Sequence, residues 1–188
     1  MVKLSSKKST IICVVMAIFL LISIINSVYL NMQNQKLKKE DVRQMYAEWY
    51  EVRRLSEVVD KYINSGGNDG KKYALFVNHI CYHFGSAVSV SELKVNMHNL
   101  LTLSYDPLFS NLANVEETLN REKATELLKS MNSDLLTISK NIMEINEEEK
   151  EELLDRSSSK YNDVNARVKD LSNKYNKLVD DYFRTYTK

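Results

Sequence analysis

Breakers are scarce in this sequence: 188 residues contain one proline and four glycines. That excludes a chain of many short strands and tight hairpins. With abundant Leu, Glu, Lys and Asn, it points to an all-α protein. Cysteine is equally sparse. Cys13 lies in an apolar run and Cys81 in the polar remainder, so the two cannot bridge and stability must come from packing. Charge is balanced at net +1 with 27% charged residues. A nucleic-acid surface would show a basic excess, so no nucleic-acid partner is expected. The chain also lacks a P-loop, a dinucleotide fingerprint, a nucleophile elbow and a zinc knuckle. Without such a constellation no catalytic, cofactor-binding or metal-binding residue is assigned, and a non-catalytic role is expected.

What is present is the uncharged run IICVVMAIFLLISIINSVYL, residues 11–30. A helix of about 20 residues spans roughly 30 Å, the thickness of a bilayer's hydrocarbon core. A buried core helix rarely stays apolar all round for so long. A cleaved signal peptide would need small residues before the cut, where this run ends in Ile24, Ile25, Asn26, Ser27, Val28 and Tyr29. Residues 10–30 are therefore read as an uncleaved signal anchor, with the lipid bilayer as partner of residues 11–30. A short polar tail, residues 1–9, precedes it, and a helical domain, residues 31–188, follows. Lys3, Lys7 and Lys8 lie closer to the run than Lys36, Lys38, Lys39 and Arg43 do. This favours a cytoplasmic N-terminus and an extracytoplasmic domain at the cell membrane.

Four helical segments are expected in the domain. The first continues the anchor, with a three-four seam at Val42, Met45, Trp49, Val52, Ser56, Val59 and Ile63, widened by Tyr46, Leu55 and Tyr62. It ends in the turn Ser65, Gly66, Gly67, Asn68, Asp69, Gly70. The second runs from Lys71 to about Ser104, with a kink near residues 85–89 where Ser89 and Glu92 have capping-box spacing. Asp106 and Pro107 read as a helix start, Asp as cap and Pro at the first position. That third segment reaches Ile145, with a phase change around residues 120–123. The fourth begins at Asn146, with Glu149 completing a capping box. Its seam is Leu154, Ser157, Tyr161, Val164, Val168, Leu171, Tyr175, Leu178 and Tyr182, weakened at Ser157, Ser158 and Ser159. Short connections imply antiparallel neighbours. The simplest arrangement is an up-down-up-down four-helix bundle continuing from the transmembrane helix. It returns the Asp106 turn and the aromatic C-terminal tail to the membrane end.

His79 and His83 stand four apart and could reach one metal ion, but no Glu-x-x-His pair accompanies them, so surface histidines are the expectation. His98 has no evident partner. The acidic run from Glu147 to Glu152 reads as a solvated first turn. Most aromatics recur at helical spacing and read as core. In layout, one anchor followed by an antiparallel bundle resembles LemA-type membrane proteins. The pairs Tyr161, Asn162 and Tyr175, Asn176 are similar to that family's late helix. The rest of the chain departs from the pattern, and no role is carried over. Function is expected to be that of an anchored protein-interaction or scaffolding module, binding a protein partner or itself through helix faces. The alternative is a sensing ectodomain holding a small molecule between helices near Gly85.

Overall fold

The computed structural model describes residues 6–66, 70–84, 91–114 and 120–186, with side chains from residue 10 onward. The described residues are helical or in turns, without strands. The chain divides into two units, residues 1–43 and 44–188.

The first unit is helical from Ser6 and forms the start of α1 (Ser6–Asn64). It holds a window long and apolar enough to cross a membrane, of mean hydropathy 2.8, none of it buried. Phe19, Leu20 and Ile25 are all more than half exposed. A soluble protein would cover so large an apolar surface.

The second unit carries the core. Along α1, Met45, Trp49, Val52, Ser56 and Val59 are buried, as the seam predicts. Leu55 and Tyr62 are buried with them, whereas Ile63 is only partly covered. After α1, Gly66 takes φ +75°, the left-handed geometry glycine adopts without strain. The remaining turn residues Gly67, Asn68 and Asp69 lie outside the described residues.

α2 (Gly70–His83) buries Val77, Ile80 and Cys81. The expected Ser89 cap lies outside the described residues. The cap on α3 (Glu92–Leu100) is Ser91, whose side chain accepts from the Lys94 amide. Asp106 does not cap a free helix end. α3 runs through a π-turn (Leu101–Tyr105) directly into α4 (Asp106–Ala113), as one rod. Pro107 explains the turn. In a regular helix its ring would strike the Leu103 carbonyl. Here the Asp106 amide reaches back to the Leu101 carbonyl, and the widened turn makes room for the ring.

The expected phase change near residue 120 is a break. α4 ends at Ala113, and α5 (Arg121–Met143) starts under an Asn120 cap that accepts from the Lys123 amide at 3.1 Å. The Asn146 capping box is present on α6 (Glu147–Glu152). α6 then stops, and α7 (Ser159–Tyr186) begins separately. Local bonds divide them: Asp155 accepts from the Ser157 amide at 2.9 Å, and Ser158 Oγ accepts from the Tyr161 amide at 3.0 Å. The seam of α7 also shifts. Tyr161, Asn165, Val168, Ser172, Tyr175, Val179 and Tyr182 are buried, while Val164, Leu171 and Leu178 flank it. Leu154 and Ser157 are exposed, and Leu153 is buried instead. Asn165 is accommodated because its Oδ1 accepts from Asn96 Nδ2 at 3.0 Å, and Ser172 Oγ accepts from Asn176.

Paired contacts give the directions of the rods. α1 runs antiparallel to α5: Tyr46 donates to the Met143 carbonyl, and Asn132 to the Ser56 carbonyl. It runs parallel to the α3–α4 rod, through Glu48 with Lys94 and Tyr62 with the Leu112 carbonyl. α2 is antiparallel to α4, since Gly70 abuts Ala113 and Asn78 meets Asp106. α7 is parallel to the α3–α4 rod, through Leu93 with Tyr161, Asn96 with Asn165, Ser104 with Asn176 and Asn111 with Tyr182. The rods α1, α2, α3–α4, α5 and α7 therefore alternate direction, and the last is parallel to the first. This corrects the four-segment, up-down-up-down expectation. The break after α4 and the helical continuity at Asp106 change the number of reversals. The C-terminal end of α7 lies beside the Asn64 end of α1, not the Gln44 end.

Candidate functional site

Within the second unit, one face of α1 and one face of α2 leave a groove of about 580 Å³ between them. From α1 come Gln44, Ala47, Glu48, Glu51 and Arg54, at the three- and four-residue steps of one helix face. From α2 come Phe76, His79, Ile80 and His83, followed by Phe84 just past its end. The floor is fixed by the core: Phe84 is buried and packs edge-on against Trp49, with ring centroids 6.0 Å apart.

The rim mixes aromatic and charged groups. Tyr50 is 51% exposed at the α1 edge. The Arg54 guanidinium lies over the Phe76 ring, 5.0 Å from its centroid, and reaches Glu51 at 3.7 Å. Glu48 is paired with Lys94 at 2.8 Å, both side chains largely covered. On the outer side of α2 a shallower hollow of about 610 Å³ involves Leu75, Phe76, Asn78, His79, Tyr82 and His83. Leu75 is 84% exposed and Tyr82 55%.

The structure brings His79 and His83 together on this rim, with ring centroids 4.2 Å apart. Among the described residues, no group of three His, Cys, Asp or Glu is placed to hold a metal ion. His98 is apart from the pair, its Nδ1 3.0 Å from the Phe84 carbonyl oxygen. In the acidic run, Glu149 closes the capping box and pairs with Lys160 at 2.7 Å, and Glu147 pairs with Lys150 at 2.6 Å. Tyr182 is a buried seam residue whose hydroxyl accepts from Asn111 at 2.9 Å. The groove itself escaped the sequence reading. Its only trace there is that Tyr50, Leu75 and Tyr82 are apolar residues off the buried stripes.

No protein-family model, curated protein or solved structure matches the chain. The layout shared with LemA-type proteins is thus not accompanied by a match in sequence or fold.

Proposed function

We propose that this protein is a single-pass, membrane-anchored helical module that engages another protein, or a second copy of itself, through the α1–α2 face. Residues 11–30 are the anchor, the N-terminus is cytoplasmic, and the helical domain is extracytoplasmic. In this reading the rods α1, α3–α4, α5 and α7 form the body of the domain, with α2 laid on α4. The observation that carries the proposal is the grouping of exposed Tyr50, Leu75 and Tyr82 beside the groove and the adjoining hollow on α2. Aromatic anchors beside a concave surface are the usual energetic centre of a protein contact.

A photo-crosslinking residue at Tyr50 or Tyr82, in the full chain in its own membrane, tests this. A discrete adduct from these positions, with none from exposed Lys177 on α7, is the expected result. Equal labelling at all positions, or none, contradicts it. A second reading, a small-molecule sensor, is supported by the groove's volume, which falls in the range of ligand sites. A metabolite that raises the thermal midpoint of the wild type, but not of Phe76→Ala, would favour that reading.

A further inference from the structure

The α2–α4 contact holds a carboxyl group that the groove does not use. Asp106 is only 7% exposed. Asn78 Nδ2 donates to its Oδ2 over a long 3.4 Å, and its Oδ1 accepts no hydrogen bond. Among the described residues, no cation is paired with it. Lys71, Lys72, His79 and His83 of α2 are exposed, and Arg121 of α5 donates to the Leu112 carbonyl near the other end of α4. The titratable groups near Asp106 are Cys81 of α2, whose thiol burial holds neutral, and Tyr105 of the π-turn. Tyr105 donates to Asn132 of α5 at 2.5 Å and feels Asp60 from α1. An ionised carboxylate here is a buried charge without compensation, whereas a protonated one is a tolerable polar group.

We propose that Asp106 is a proton-operated latch: neutral, it lets α2 seat on α4, and ionised, it drives the two helices apart. The latch sits where the chain has least freedom to adjust. Pro107 and the π-turn fix the helix at Asp106, and at the other end Gly70 touches Ala113 so closely that a Cβ would lie 2.8 Å from its Cα. Burial raises the carboxyl's pKa above its ordinary 3.8, and the Asn78 bond opposes this only in part. The folded state thus keeps its proton where the unfolded chain has lost it. Stability is highest below the unfolded value, falls as pH rises to the folded value, and is level above that. Because the opposite side of α2 is a wall of the groove, the latch would also set the groove's width. That link rests on the groove reading above, but the test below does not.

The test compares the full chain and Asp106→Asn in detergent micelles from about pH 2.5, below the unfolded carboxyl's value, to pH 8. The two should melt together at the acid end. At pH 8 the Asn variant should melt higher by about 3–6 °C. Amide protection along α2 should fall with rising pH in the wild type and stay flat in the variant. A gap that is the same at every pH, of either sign, overturns the latch. Should the variant fail to fold, α2 protection that is independent of pH in the wild type overturns it as well.

Discussion

Trp49 is fully buried in α1, at the junction with Phe84. Removing its ring leaves a hole that rigid helices cannot close. Trp49→Ala is therefore expected to destabilise the domain by about 3–5 kcal/mol in a denaturant titration. Gly70→Ala tests the opposite error. The added methyl group would collide with the Ala113 backbone, and a loss of about 1–3 kcal/mol is expected, with α2 the first helix to lose amide protection. Asn146→Ala should cost about 1 kcal/mol by removing the side-chain bond from the Glu149 amide, one half of the α6 capping box. These residues differ in how legible they were. The Asn146 box involves groups three residues apart, so sequence alone displays it. Asp106 carries an equally strong local signal for a cap, yet its carboxyl is buried against α2. Only a contact 28 residues distant in sequence, Asn78, decides the matter.

Elements were legible where a local rule governed them. The seam of α1 and the weak serines before α7 both follow from periodicity or propensity. The misread boundaries came from competition between local signals and packing. Pro107 was absorbed by a π-turn instead of starting a helix. The phase change near residue 120 became a full break, and α7 turned polar Asn165 and Ser172 inward because partners on α3 and on its own next turn satisfy them. The groove was hidden for a related reason: its α1 wall is a face that helical periodicity assigns to solvent. The direction of α7 is the most consequential correction, and a crosslink tests it. In a chain with Cys13→Ser and Cys81→Ala, cysteines at Asn111 and Tyr182 should be joined by a short bis-maleimide cross-linker, since the Asn111 amide meets the Tyr182 hydroxyl and the two backbones are one tyrosine's length apart. Cysteines at Gln44 and Tyr182 should not. A bridge in the second pair alone would restore the four-helix topology.

The whole molecule joins a helix long and apolar enough to cross a membrane to a domain held together by packing without disulfides. Neither described cysteine is paired, and the only one in the second unit, Cys81, is fully buried. Reducing agents should therefore leave the thermal midpoint unchanged, whichever side of the membrane the domain occupies. The function proposed here depends on that side, because it decides which partners can reach the α1–α2 face. A reporter enzyme active only outside the cytoplasm, fused after Lys188, measures it directly. The account predicts an active reporter that stays with the membrane fraction. An inactive reporter in a well-expressed fusion would place the domain in the cytoplasm and contradict the account.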